Sequence, residues 1–116
     1  MSFDKFVTFL RSTDLDRSQA FYEGLGLVLA LDQGTCRIFR VSDSGFLGIC
    51  QGHPEPWGVI VTLVADDVEE RCAAWADAGY VFEKRPAFNP EYRITHAFLR
   101  DPDGHLVEIQ RFEDWD

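Results

Sequence analysis

The chain has 116 residues, 46% of them hydrophobic, with ten Phe, three Tyr and three Trp. That is ample for a packed interior and unlike the composition of a disordered segment. A formal net charge of −9 without a long basic stripe argues against nucleic acid and anionic membrane surfaces as partners. No apolar run approaches the roughly 20 residues needed to span a bilayer. The N-terminus lacks the charged-then-apolar pattern of a secretory leader, so the expected location is cytoplasmic. There, the odd set Cys36, Cys50 and Cys72, with no C-x-x-C pair, is expected as small buried hydrophobes.

In chain order, "VTFLRSTDLDRSQAFYEGLGLVL" (Val7–Leu29) opens with a β-rich run. Asp14 then stands where a helix needs an N-cap, Leu15, Tyr22 and Leu25 follow at helical spacing, and Gly26 suits a left-handed C-cap. "CRIFRVSDSGFLGICQ" (Cys36–Gln51) reads as strand, Asp-containing turn, strand. "QGHPEPWG" (Gln51–Gly58), with two prolines and two glycines, is a linker. The pattern then recurs. "IVTLVADDVEERCAAWADAGYVF" (Ile60–Phe82) aligns without a gap on Val7–Leu29 at an offset of 53, pairing Leu10 with Leu63, Asp14 with Asp67, and Gly26 with Gly79. Its helix carries Val68, Cys72 and Trp75 at helical spacing. "EKRPAFNPEYRIT" (Glu83–Thr95), marked by Pro86 and Pro90, is expected as a loop. "HAFLRDPDGHLVEIQR" (His96–Arg111) repeats Cys36–Gln51 at an offset of 60. Each half therefore reads β-α-β-β-β, with module one at about 3–51, linker 52–58 and module two at about 59–112. Two copies of this size make a duplicated module within one domain, 1–116, whose halves pack together or swap with another chain.

The stretches "STDLDRSQAFYEGLGL" (Ser12–Leu27) and "LRDPDGHLVEIQRF" (Leu99–Phe112) resemble the vicinal oxygen chelate superfamily. That is the group of glyoxalase I, bleomycin-resistance proteins, fosfomycin-resistance proteins and extradiol dioxygenases. The resemblance covers nearly the whole chain. It implies an α+β fold of tandem βαβββ modules, a curled mixed sheet forming a cup with the helices outside. It also implies a homodimer whose cups are completed across the interface. Metal-dependent members place ligands at positions that here are Val7, Gly48, Ile60 and Glu108. Only Glu108 has a donor atom, so no divalent cofactor is expected. A non-standard metal site from His96 and Glu108, with His53 or a partner chain's residue, stays open.

Strand alternation lists what shares the cup face. Leu106, Glu108 and Gln110 face in, with Val107 and Ile109 behind; so do His96, Phe98 and Arg100, with Ala97 and Leu99 behind. Val7, Phe9 and Arg11, and Ile60, Thr62 and Val64, follow the same rule. Cys36, Ile38, Arg40, Phe46, Gly48 and Cys50 complete the face. The expected ligand-binding residues are Glu108, His96, Phe98, Arg100, Arg11, Phe9, Arg40 and Gln110, an apolar cup with few polar groups. The bland reading stands beside it: Glu108 pairs with an arginine or with His96, Arg100 braces the turn, and the arginines lie solvated at the rim. Converging arginines would instead point to an anionic ligand. His53, in the linker, and His105, in the turn, are expected exposed. "EGLGL" closes a helix rather than opening one, and no Walker motif, nucleophile elbow or HExxH is present.

Two functions stay in view. One is a metal-independent protein that binds an amphipathic or anionic small molecule. The other is a lyase, isomerase or dioxygenase-type enzyme using Glu108 and His96, through a non-standard metal or metal-free acid–base chemistry.

Overall fold

The strand and helix order follows from the local signals just given. In the computed structural model, which describes residues 5–54 and 58–114, the order is β1 (Phe6–Ser12), α1 (Leu15–Leu25), β2 (Val28–Asp32), β3 (Cys36–Arg40), β4 (Gly45–Gln51), β5 (Ile60–Val64), α2 (Val68–Asp77), β6 (Phe82–Asn89), β7 (Ile94–Arg100) and β8 (Leu106–Phe112). Linker residues 55–57 lie outside the described part. The chain divides into two compact units, Met1–Trp57 and Gly58–Asp116. Each has one four-stranded mixed sheet, ordered β1-β4-β3-β2 in the first and β5-β8-β7-β6 in the second. The opening strand of each unit runs parallel to its last strand, and the other pairings are antiparallel. The architecture is α+β, built as two βαβββ modules.

The repeat is physical as well as textual. Gly26, at φ +112°, ends α1 with its N–H on the Glu23 carbonyl, while the Leu27 N–H reaches the Tyr22 carbonyl at 3.1 Å. Fifty-three residues later Gly79, at φ +101°, bonds the Ala76 carbonyl and Tyr80 the Trp75 carbonyl at 3.0 Å. Both ends are the same left-handed closure, which a side chain would strain. The N-termini differ. Asp14 caps α1 by accepting from the Arg17 N–H at 3.1 Å. Asp67 makes no such side-chain cap bond. Its Oδ1 accepts from Arg71 Nε at 2.6 Å instead, because the guanidinium one turn on competes for the same oxygen.

The expected loop at 83–95 is a correction. Residues 83–89 belong to β6, and only the residues between Asn89 and Ile94 form a turn. β6 is an edge strand whose register against β7 shifts between Phe82 and Lys84 and again between Lys84 and Ala87. Pro86 falls in the second irregularity, where no ladder N–H is required of it.

One face of each sheet is closed by a helix, α1 against β4 and α2 against β6, β7 and β8. On that side Leu10, Phe39, Leu47 and Ile49 are buried in the first unit. Leu63, Ala97, Leu99, Val107 and Ile109 are buried in the second. α2 contributes Val68, Cys72 and Trp75, as expected. α1 contributes Tyr22, Leu25 and also Ser18, whose hydroxyl meets that of Ser12 at 2.6 Å. Full burial of each large aliphatic side chain stabilises by about 1.5–3 kcal/mol. These layers fix the pleat, and the pleat sends the alternate residues to the opposite face.

Candidate functional site

In the second unit that opposite face is built by three adjacent strands. Thr62 of β5 lies in register with Glu108 of β8, which lies opposite Phe98 of β7; His96 lies opposite Gln110. Glu108 accepts three hydrogen bonds. Thr62 Oγ1 donates to its Oε1 at 2.8 Å, and Gln110 Nε2 donates to its Oε2 at 2.9 Å. His96 Nδ1 lies 2.6 Å from the same Oε2. Glu108 is 8% exposed, and His96 and Gln110 are 7% exposed. A carboxylate this buried is costly unless its lone pairs are engaged, and here they are. Because a carboxylate only accepts, His96 Nδ1 carries the proton between them, and the short contact is that of a charge-assisted bond. His96 Nε2 is buried and has no hydrogen-bond partner among the described residues. The Phe98 ring stands edge-on to the imidazole, with centroids 5.0 Å apart.

Glu108, His96, Gln110 and Phe98 of the expected set thus come together. Thr62, which alternation puts on this face, joins them through its register opposite Glu108. Arg100 does not join. Its Nε donates to Glu83 at 3.0 Å and its Nη1 to the Gly104 carbonyl at 3.0 Å, so it braces the β7–β8 turn. His105, expected exposed, is 7% exposed. The Asp101 carboxylate accepts from the backbone N–H groups of both Asp103 and His105 at 2.9 Å, which draws the turn in. His53 is exposed, as expected.

The first unit repeats this face with different chemistry. Phe9 lies opposite Gly48, Ile38 opposite Gly48 on the other side, and Cys36 opposite Cys50. A Cβ on Gly48 would run into the Phe9 ring, so the missing side chain is the space that ring occupies. Cys36 and Cys50 form a disulfide, with Cα atoms 4.1 Å apart. The expectation of three reduced, buried thiols is therefore corrected for two of them; cross-strand register brings the pair within bonding reach. Cys72 is free and buried, and burial pushes its thiol up to about 11. Arg40 lies 4.9 Å from the Phe46 ring centroid and donates to the Asp43 carbonyl at 3.1 Å, bracing its turn as Arg100 braces the equivalent one. Arg11 donates to the Gln51 carbonyl at 3.4 Å.

No family model matches the sequence. Among solved structures, the chain is similar to lactoylglutathione lyase from Agrobacterium tumefaciens, at 22% identity and a TM-score of 0.79, over 95% of this chain and 94% of that one. It is similar to a glyoxalase/bleomycin resistance protein/dioxygenase from Alicyclobacillus acidocaldarius, at 19% identity and a TM-score of 0.79, over 96% and 92%. A third likeness is to an integron cassette protein from the mobile metagenome of the Halifax Harbour sewage outfall, at 19% identity and a TM-score of 0.81, over 93% and 97%. The fold is that of the glyoxalase/bleomycin-resistance proteins.

At these identities the likeness speaks for fold, and chemistry has to be read from side chains. The divalent ion implied by the superfamily resemblance does not fit the residues present. Val7 and Gly48 on the first sheet and Ile60 on the second have no donor atom, and the Glu108 oxygens already hold three donors. Among the described residues, no three or more His, Cys, Asp or Glu side chains gather as a ligand set. No helix among them is long and apolar enough to cross a membrane.

Proposed function

We propose that this chain is a small-molecule-binding protein of the glyoxalase/bleomycin-resistance superfamily that works without the usual divalent metal. It takes an amphipathic or anionic ligand on the Glu108 face of the second unit and acts as a homodimer. The observation that carries the reading is a buried polar cluster with one open valence. Glu108 already accepts from three donors, His96 Nε2 has no partner among the described residues, and Phe98 supplies an apolar flank. The proposal places the protein in the cytoplasm.

The test is metal analysis of purified protein after dialysis against metal-free buffer, followed by a thermal-shift screen of small amphipathic compounds. The expected outcome is no stoichiometric metal, and stabilisation by at least one compound. A ligand at about a hundred times its Kd adds about 2.7 kcal/mol. A divalent ion retained one per chain sinks the metal-free reading, and a screen without a single stabilising compound sinks the binding reading.

The hydrogen-bonded His96–Glu108 pair favours a second reading, an enzyme in which His96 moves a proton and Glu108 orients it. There, Glu108→Gln abolishes turnover and leaves the fold intact.

A further inference from the structure

The cluster around Glu108 has a polarity that narrows the ligand. Three donors converge on one carboxylate, from Thr62 Oγ1, Gln110 Nε2 and His96 Nδ1. The imidazole proton is held at Nδ1 by its 2.6 Å partner, so in the neutral ring Nε2 keeps its lone pair. An imidazolium would instead bury an Nε2–H with nothing to accept it, and orphaned donors are the rarer defect in folded proteins. Nε2 is buried without a partner among the described residues, a desolvation cost that an incoming donor would recover. The two arginines on the cluster's own strands are engaged elsewhere: Arg100 of β7 is held by Glu83 and the Gly104 carbonyl, and Arg111 of β8 by Glu69 and the Asp66 carbonyl.

We infer that His96 Nε2 is an unprotonated hydrogen-bond acceptor that selects an uncharged ligand presenting an O–H or N–H donor on an aromatic or aliphatic body. The inference rests on the binding reading above and names its ligand class. Glu108, Thr62 and Gln110 act through His96 as positioning residues, because they set which nitrogen carries the proton.

Three probes with one shared body separate the cases: 4-ethylphenol, which donates; 4-ethylanisole, which cannot; and 4-ethylbenzoate, which is an anion. Two-bond proton–nitrogen spectra of histidine-labelled protein report the His96 tautomer without any ligand. The expected tautomer spectrum has the proton on Nδ1 and a bare Nε2, whose resonance moves on adding 4-ethylphenol. 4-ethylphenol is expected to bind about tenfold tighter than either of the other two. His96→Phe should bring the phenol and anisole affinities together. Glu108→Gln, whose amide can donate to Nδ1, should release the tautomer lock and erase the same preference, which covers the case in which His96→Phe does not fold. A protonated Nε2, equal binding of phenol and anisole, or a preference for benzoate overturns the inference. So does a failure of all three probes when other amphipathic compounds stabilise the protein. If nothing at all binds while the tautomer is as stated, the binding reading itself has failed.

Discussion

Cys36 and Cys50 occupy, in the first unit, the places that His96 and Gln110 occupy in the second, 60 residues on. In one sheet the two strands are tied by a covalent bond, and in the other both side chains hydrogen-bond a shared carboxylate. The tie closes the open end of the β3–β4 hairpin. In the chain-entropy account a loop of this length contributes about 3 kcal/mol. Replacing both Cys36 and Cys50 by Ser is therefore expected to lower unfolding free energy by up to about 3 kcal/mol in denaturant titration. A strong thiol reductant should lower that of the wild type by a similar amount. Equal stability of all three samples would remove the disulfide from the account. The bond was hidden from the sequence for two reasons. A separation of 14 residues carries no pairing signal, and an expected reducing compartment argued for thiols. Yet alternation had already put both residues on one face.

Among the elements, α2 is anchored by a strand rather than by its own cap. Arg111, near the end of β8, donates to the Asp66 carbonyl at 3.0 Å, to Glu69 at 2.8 Å and to Thr95 at 3.2 Å, joining the helix N-terminus to β7 and β8. The hydrogen bond from Arg111 holds the Glu69 carboxyl below its ordinary value. A carboxyl whose folded value is depressed stabilises the fold above the ordinary carboxylate range, and that contribution is lost as pH falls through the depressed value. The melting-temperature gap between wild type and Glu69→Gln is accordingly expected to be widest near neutral pH and to close as pH falls through the depressed carboxyl value. A gap that persists in acid would mean that Glu69 acts by packing. β6 is the element the sequence concealed. Two prolines and a run of charged residues read as a loop, but an edge strand with two register shifts tolerates both.

At the scale of the whole molecule, β1 and β5 each form an edge of their sheets, and each exposes large apolar side chains, Phe6 and Phe9 on one, Ile60 and Val64 on the other. Such edges invite pairing with another chain. Light scattering at micromolar concentration is expected to return twice the 13.3 kDa chain mass. A monomer mass there would sink the homodimer. The sequence alone determined the duplicated βαβββ plan, because the offsets of 53 and 60 repeat signals that act within a few residues: a capping glycine, a turn, an alternation of apolar side chains. Alternation likewise set which residues share a face, since the pleat admits only two. What sits beside what along that face depends on register between strands far apart in sequence, and only the tertiary structure decided it. Register put Thr62, Gln110 and His96 on Glu108, turned Arg100 to its turn, joined Cys36 to Cys50, and left His96 Nε2 as the buried atom without a partner among the described residues.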